Sequence, residues 1–277
     1  DEHVIADFNH PLSRHEVGLD VRVVGVQKKL GEIGGSCTAW LEVAAEGPGM
    51  QARYGGMPTD FFSDDPFRRE DETVDSRFYS PPRLVSHIDE QAISVISNIY
   101  GQHLANGMEV LDLMSSWQSH TPKDIFLQNL VGIGLNMEEL RKNSQLTDYL
   151  IHDLNTDPQL PFDSKTFDAV ICTVSVEYVI HPFTVFEEIA RVLRPQGICI
   201  MTFSNRWFPP KAIRIWKEIN EFERMGLVTE YFLRSGKFND IATYSMRGLP
   251  RPEDDQYFPQ LMTADPVYAV WGKKVVD

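Results

Sequence analysis

Two serines and a carboxylate stand together at the end of a short apolar run near the middle of the chain. The stretch Met108–Ser119 reads M-E-V-L-D-L-M-S-S-W-Q-S, with Asp112 inside the apolar run and Ser115, Ser116 and Trp117 after it. Hydroxyl groups and a carboxylate at such a turn can hold the polar end of a small ligand through hydrogen bonds. For Asp112 two interpretations remain open: it contacts a ligand, or it only stabilises the turn.

The apolar residues around this turn predict the start of a β-α-β unit. Val110, Leu111 and Leu113 form a first strand, and a second apolar strand, Leu130–Leu135, follows about one helix length later. We predict that this intervening helix covers Thr121–Gln128. In such units a ligand binds at the carboxyl end of the first strand, which is where the serines stand.

The remaining elements predict one large sheet. A helix over Leu84–Leu104 precedes the first strand. The elements predicted after the second strand are helix Met137–Lys142 capped by Asn136, strands Tyr149–His152 and Phe167–Val174, a helix from Pro182, strand Ile198–Phe203, helical segments Lys211–Glu223 and Leu227–Leu233, and strands Ile241–Met246 and Val267–Lys273. The last two strands have no helix between them, which predicts an antiparallel pair. The predicted fold is α/β, a Rossmann-like doubly wound sheet of seven mostly parallel strands with an antiparallel last strand, plus a small N-terminal β-rich extension.

Three regions follow from the composition along the chain. Residues 1–46 alternate as strands do and form the β-rich extension, whereas residues 47–82 are rich in glycine, proline and acids and form a linker or lid. Residues 83–277 form the main domain. Within the linker, Ser76–Arg83 combines aromatic residues with arginine just before the first helix. This segment is either a surface loop or a lid whose aromatic residues touch a ligand.

Overall charge and composition exclude several classes of function. The 277 residues are 42% hydrophobic and carry a formal charge of −14, which is unfavourable for binding nucleic acid. No apolar run reaches the roughly 20 residues that a membrane-spanning helix needs. Cys37, Cys172 and Cys199 lie far apart, and the histidines lack ligand spacing, so no metal site is predicted. We expect a cytoplasmic location, or an organelle such as the plastid if a targeting peptide preceded Asp1.

Four phrases of the main domain resemble class I S-adenosylmethionine-dependent methyltransferases, particularly the type 11 branch. They are V-L-D-L at 110–113, H-D-L-N-T-D-P-Q-L-P-F at 152–162, F-D-A-V-I at 167–171 and E-I-A-R-V-L-R-P-Q-G at 188–197. The first turn, D-L-M-S-S-W, is similar to a subgroup of methyltransferase-like proteins in plants, algae and bacteria. The resemblance extends from about Arg83 to Lys273 and implies S-adenosylmethionine as the cofactor.

The resemblance also implies roles for residues at the strand ends. The first turn would meet the amino-acid end of the cofactor, Asn136 the ribose, and Asp153 with Leu154 the adenine. The residues predicted to bind the cofactor are Asp112, Ser115, Ser116, Asn136, Asp153, Leu154 and Ser175. Glu177 and Tyr178 are the candidate catalytic residues. The residues predicted to bind substrate are Tyr79, Arg83, Asn205, Arg206 and Trp207, although the last three are equally suited to packing the following helix.

Two positions depart from the family pattern. The usual glycine-rich turn is replaced by Ser115, Ser116 and Trp117, whose indole must either pack under the sheet or occupy cofactor space. Gly134 stands where an acid usually binds the ribose hydroxyls. A neutral hydrogen bond from Asn136 would be weaker than a charge-assisted one by about 1 kcal/mol. The two departures therefore point to weakened or lost cofactor affinity.

Two hypotheses about function follow. The first is methyl transfer from S-adenosylmethionine to a small, apolar acceptor. The second is a catalytically degenerate methyltransferase fold that acts as a binding or scaffolding subunit of a larger assembly, with another protein as its partner. The altered turn favours the second hypothesis, whereas the intact remainder favours the first.

A shorter resemblance lies in the N-terminal extension. The segment D-F-N-H-P-L at 7–12 and the alternating strand after it are similar to the carboxyl-terminal end of SlyD-like FKBP-type peptidyl-prolyl isomerases. This resemblance covers only residues 4–26, too short a piece to bury a core of its own. We therefore expect a hairpin packed on the main domain and predict no isomerase activity.

Overall fold

The computed structural model of the chain describes residues 60–62 and 64–276. The predicted β-rich extension, including its isomerase-like segment, and the first part of the predicted linker lie outside the described residues. Among the helices of the described part, none is both long and apolar enough to span a membrane.

A seven-stranded sheet forms the centre of the described chain. Its strands are β1 (Glu109–Leu113), β2 (Asn129–Gly134), β3 (Asp148–Ile151), β4 (Phe167–Thr173), β5 (Leu193–Phe203), β6 (Phe238–Met246) and β7 (Val267–Lys274). They lie in the order β3-β2-β1-β4-β5-β7-β6. Strands β1 to β5 pair in parallel, whereas β7 is antiparallel to both of its neighbours. The predicted seven-stranded, mostly parallel sheet is confirmed.

Helices bury both faces of this sheet. They are α1 (Asp75–Phe78), α2 (Glu90–His103), α3 (Met137–Lys142), α4 (Pro182–Val192), α5 (Arg214–Glu218) and α6 (Glu221–Ser235). Because successive side chains of a strand point to opposite faces, β1 places Val110 in the cluster of α2 and Leu111 in the larger cluster of α4 and α6. A parallel sheet covered in this way leaves its strand ends as the place for a site.

The helix predicted over Leu84–Leu104 begins only at Glu90. Asp89 caps it, since its Oδ1 accepts a hydrogen bond from the backbone N of Ala92 at 2.8 Å. Asp89 and Asp265 also bond reciprocally, each backbone N donating to the other's Oδ2, at 3.1 and 2.6 Å. This contact across 176 residues positions the start of α2, so residues 84–88 remain outside the helix.

The helix predicted over Thr121–Gln128 is absent, and an irregular loop joins β1 to β2. Side-chain amides that follow α3 bind this loop instead. Gln145 Nε2 donates to the carbonyl of Thr121 at 2.9 Å, and Asn143 Nδ2 donates to the carbonyl of Ser116 at 2.9 Å. These carbonyls thereby gain partners without the internal hydrogen bonds of a helix.

Candidate functional site

One cavity opens at the carboxyl ends of β1 to β4, where the strand order reverses between β1 and β4. It has a volume of about 1120 Å³ with its open mouth included. All seven residues predicted to bind the cofactor line this cavity: Asp112, Ser115, Ser116, Asn136, Asp153, Leu154 and Ser175. The fold thus brings together residues from four strand ends.

The turn after β1 keeps the backbone conformation of a glycine without having one. Met114 adopts a φ of +55°, in the left-handed region that favours glycine. Its position corresponds to the first glycine of the usual turn, two residues after Asp112. The left-handed residue is therefore Met114 and not one of the serines that the sequence alone singled out. Such a conformation costs roughly 1–2 kcal/mol for a residue with a side chain.

The two departures from the family pattern form a single structural change. A Cβ atom added to Gly134 would lie 2.3 Å from the backbone oxygen of Ser115, which leaves no room for a side chain. The backbone N of Ser115 also donates to the carbonyl of Ile133 at 2.6 Å. The serine turn therefore lies directly against the end of β2. An acid at position 134 and this turn exclude each other.

Trp117 forms part of the cavity wall. Its indole Nε1 donates to the carbonyl of Val85 at 3.2 Å, and the residue is half-buried. The ring thus connects the turn after β1 to the irregular segment before α2. The ring lies at the wall of the cavity, and the cavity beside it stays open.

Asp112 is buried beneath the serine turn. Ser115 Oγ donates to its Oδ2 at 2.6 Å, and the carboxyl group is almost completely removed from solvent. Burial raises the pKa of Asp112 to about 7, although hydrogen bonds from Ser115 and Ser119 oppose this shift. A cationic ligand group beside it would favour the ionised form. The geometry accommodates both interpretations of Asp112, since it stabilises the turn and also lines the cavity.

A second carboxylate, Glu139 of α3, lies at the cavity after β2. Its Oε1 accepts from the backbone N of Arg83, and its Oε2 accepts from Ser116 Oγ, both at 2.6 Å. Asn136, by contrast, donates both of its amide protons to the carbonyls of Tyr79 and Ser80 and caps α3 with its Oδ1. The Asn136 side chain therefore has no free donor for a ribose.

Asp153 lies after β3, on the same side of the cavity. Its Oδ1 accepts from the backbone N of Asn155 at 3.0 Å, and its Oδ2 accepts from Thr156 Oγ1 at 2.9 Å. These local bonds orient the carboxylate and leave each oxygen a further lone pair. Leu154 is buried beside it. A carboxylate next to an apolar side chain is suited to an adenine ring.

The segment 69–83 is fixed over the cavity by a buried charge cluster. Asp75 pairs with Arg69 at 2.8 Å and with Lys211 Nζ at 3.0 Å, and Asn155 Nδ2 donates to it at 2.8 Å. Burial opposes ionisation of Asp75, yet these partners lower its pKa overall. The same cluster holds α1, which immediately precedes Tyr79. Of the two interpretations of Ser76–Arg83, the structure fits a cover over the cavity.

Four aromatic residues, Phe78, Tyr79, Tyr178 and Phe208, form what we call the aromatic wall. The ring centroids of Phe78 and Tyr79 are 4.9 Å apart, and those of Phe78 and Phe208 are 5.6 Å apart. Tyr178 accepts a hydrogen bond from the backbone N of Phe208 at 2.9 Å. Arg83 lies over this wall, with its Cζ 5.1 Å from the Phe208 centroid. One end of the cavity is therefore apolar and aromatic.

The two candidate catalytic residues, although adjacent in sequence, point to different places. Tyr178 lines the cavity, whereas Glu177 does not and is completely buried. Neither carboxyl oxygen of Glu177 has a hydrogen-bond partner among the described residues. Burial raises its pKa to about 8, and the charge of Arg224 opposes this shift. The structure thus does not support Glu177 as a group that touches a ligand in this cavity.

The predicted substrate-binding residues separate into two groups. Tyr79 and Arg83 line the cavity, whereas Asn205, Arg206 and Trp207 do not. Arg206 Nε donates to Asp265 at 3.0 Å, and the ring of Trp207 lies 4.3 Å from the guanidinium carbon of Arg224. Phe208, the next residue, takes the position at the cavity. Of the loop after β5, the structure thus brings Phe208 to this cavity and not the three residues that the sequence predicted.

Several cavity residues carry no signal that sequence reasoning used. His87, His120 and His152 line the cavity, as does Glu139. Burial and the charge of neighbouring His87 lower the pKa of His120 to about 4, and desolvation lowers that of His87. Both imidazoles are therefore neutral at pH 7. The sequence could have indicated Glu139 as a cavity residue, because it lies in the first turn of the helix that follows β2.

Unpaired buried polar atoms indicate that a ligand fits here. Three residues of the cavity each carry one buried atom without a hydrogen-bond partner in the described chain, namely Tyr79 Oη, Arg83 Nη1 and His152 Nε2. Buried polar atoms in native proteins are nearly always paired. Two carboxylates, Glu139 and Asp153, stand at neighbouring strand ends. This set of groups suits a polar nucleoside-containing molecule such as S-adenosylmethionine.

Comparison with known proteins gives one family match and several similar solved structures. Residues 119–201 match the type 11 methyltransferase family, described as a methyltransferase domain. No curated protein matches the sequence. Similar solved structures include a chain from the complex of the Haloferax volcanii Trm112 methyltransferase activator, with 16% identity and a TM-score of 0.49 over 68% of this chain and 91% of that chain. Another is the [4+2]-cyclase SpnF, with 17% identity and a TM-score of 0.48 over 71% and 90%.

A third similar structure is Haemonchus contortus phosphoethanolamine N-methyltransferase 2 in complex with S-adenosyl-L-methionine. Its identity is 14% and its TM-score 0.47, over 67% of this chain and 52% of that one. Structural similarity at this level supports no conclusion about function. The match over residues 119–201 and the mostly parallel seven-stranded sheet agree with the resemblance to class I S-adenosylmethionine-dependent methyltransferases that the four sequence phrases carry.

Proposed function

We propose that the domain binds S-adenosylmethionine in the cavity at the ends of β1 to β4 and methylates a small acceptor with an apolar body. One observation carries this proposal: residues from four strand ends, all predicted from the family resemblance, line one cavity beside an aromatic wall. When bound, S-adenosylmethionine supplies a methyl group on a positively charged sulfur. All other roles belong to the residues of the chain.

In this proposal Glu139 replaces the acid that Gly134 cannot provide. Its carboxylate forms charge-assisted hydrogen bonds with ribose hydroxyls, which are stronger than bonds from a neutral amide. Asp153 and Leu154 hold the adenine. The hydroxyl groups of Ser115 and Ser116 already bond to Asp112 and Glu139, so the turn is rigid before a ligand arrives. A site organised in advance spends less binding free energy on ordering itself.

The acceptor lies against the aromatic wall. Tyr178 and Phe208 provide apolar surface and exclude water, which strengthens electrostatic interactions inside the cavity. His87 stands next to this surface, with its ring centroid 5.3 Å from that of Phe208. Because it is neutral at pH 7, an imidazole nitrogen of His87 can take up a proton from the acceptor. Binding and positioning supply the rest of the rate enhancement.

Calorimetric titration with S-adenosylmethionine and S-adenosylhomocysteine tests the proposal. We expect saturable binding of both ligands. Glu139→Gln should weaken binding about five- to tenfold, which corresponds to roughly 1 kcal/mol. Glu138→Gln is the matched control, because Glu138 is exposed on the same helix turn and does not line the cavity. Absence of binding at millimolar ligand would refute the proposal and leave the scaffolding hypothesis.

A further inference from the structure

The guanidinium group of Arg83 makes no ion pair within the described chain. Its Nη2 donates to the carbonyl of Phe78 at 3.0 Å, while its Nη1 is buried and has no acceptor among the described residues. The guanidinium carbon lies 4.7 Å from the ring centroid of Phe78 and 5.1 Å from that of Phe208. A permanently charged group thus sits in the aromatic wall with one side of its planar fork unpaired.

The acids of the cavity do not supply the missing partner. Asp75 is already bound by Arg69, Lys211 and Asn155. Glu139 accepts from the backbone N of Arg83 rather than from its side chain. Aromatic faces attract a cation but accept no hydrogen bond in the plane of the guanidinium. Leaving a buried charged donor unpaired is costly, which points to a partner that comes from outside the chain.

A second unpaired donor lies beside the first. The hydroxyl group of Tyr79 is buried without a partner in the described part of the chain, and its ring centroid is 5.6 Å from Arg83 Cζ. Burial, followed by the charges of Asp75 and Glu177, raises the pKa of Tyr79, so the hydroxyl keeps its proton and can donate. Two neighbouring donors, one of them cationic, match the two oxygens of a carboxylate.

We propose that the methyl acceptor carries a carboxylate on an aromatic or apolar body, and that Arg83 and Tyr79 bind this carboxylate. The body packs on Tyr178 and Phe208. This inference rests on the proposed function and narrows its acceptor to one chemical class. The cofactor also has a carboxylate, but the guanidinium packs on the rings of Phe78, Tyr79 and Phe208, so its unpaired side belongs to the aromatic wall.

The test uses protein saturated with S-adenosylhomocysteine and four probes: benzoate, phenylacetate and the corresponding amides, benzamide and phenylacetamide. We expect each carboxylate to bind at least tenfold more tightly than its amide. Arg83→Gln should abolish that preference, and Tyr79→Phe, which keeps the ring, should reduce it severalfold. Arg77→Gln is the matched control, because Arg77 is exposed outside the cavity and should leave the preference unchanged.

Three outcomes overturn the inference. In the first, neither carboxylate binds the loaded protein more tightly than its amide. In the second, Arg83→Gln weakens S-adenosylhomocysteine but not 5′-methylthioadenosine, which lacks the amino-acid end, so that Arg83 binds the cofactor carboxylate instead. In the third, S-adenosylhomocysteine itself does not bind, and the proposed function fails as well. The first two leave the proposed function intact. Because Tyr79→Phe keeps the packing of the wall, it still decides the question should Arg83→Gln not fold.

Discussion

Replacing Glu177 by glutamine tests how strongly burial of this carboxyl group makes the stability of the fold depend on pH. Its carboxyl group is 0% exposed and has no partner among the described residues for either oxygen. Burial raises its pKa from an ordinary value of 4.5 to about 8. The folded protein therefore keeps this group neutral at pH values at which the unfolded chain ionises it.

The direction of the pH dependence follows from that shift. Below pH 4.5 the group is protonated in both states and costs nothing. Between pH 4.5 and about 8 each pH unit removes about 1.4 kcal/mol from the free energy of unfolding, because the unfolded chain binds fewer protons than the folded one. Above pH 8 the loss is complete. Over the whole window it amounts to at most roughly 4–5 kcal/mol.

Urea unfolding of the wild-type protein and of Glu177→Gln at pH 5 and pH 8.5 measures this loss. We expect the free energy of unfolding of the variant, minus that of the wild type, to be several kcal/mol larger at pH 8.5 than at pH 5. The reason is that glutamine has no charge to bury. Glu187→Gln is the control, because Glu187 is exposed on α4. A difference that is the same at both pH values would refute the reasoning. Because Glu177 does not line the cavity, S-adenosylhomocysteine should bind the variant as it binds the wild type.

Three further substitutions test the turn and the charge cluster. Gly134→Ala should lower the free energy of unfolding by roughly 1–3 kcal/mol and weaken S-adenosylhomocysteine binding, because its Cβ would meet the Ser115 backbone oxygen at 2.3 Å. An unchanged midpoint of urea unfolding would contradict this clash. Met114→Gly should be more stable than Met114→Ala by about 1 kcal/mol in urea unfolding, because only glycine adopts a φ of +55° without strain; equal stabilities would argue against the left-handed turn. Lys211→Met should lower the free energy of unfolding by about 3–5 kcal/mol in thermal or urea unfolding, because it removes a completely buried partner of Asp75. A loss below about 1 kcal/mol would indicate that the ammonium group is exposed to solvent.

Much of the fold and part of the site could be predicted from the sequence, because they depend on local pattern. The continuous apolar run Phe167–Val174 predicts a strand buried on both faces, and β4 is one. The polar residues that follow each strand necessarily gather at one edge of a parallel sheet. That rule brings Ser115, Asp153 and Ser175 to the same cavity, since it requires only the order of the elements and not the details of their packing.

Contacts between distant segments decided the rest. The reciprocal bonds between Asp89 and Asp265 determine where α2 begins, and so make Val85 and His87 residues of the cavity rather than of a helix. Because Ser115 lies directly against Gly134, the missing glycines of the turn and the missing acid at position 134 are one structural change. Glu139, which bonds to Ser116, is then the acid that lies at the cavity after β2. Periodicity along a chain determines which residues form strands and helices. Which way each side chain faces at their ends depends on partners far away in the sequence, and only the tertiary structure brings those partners together.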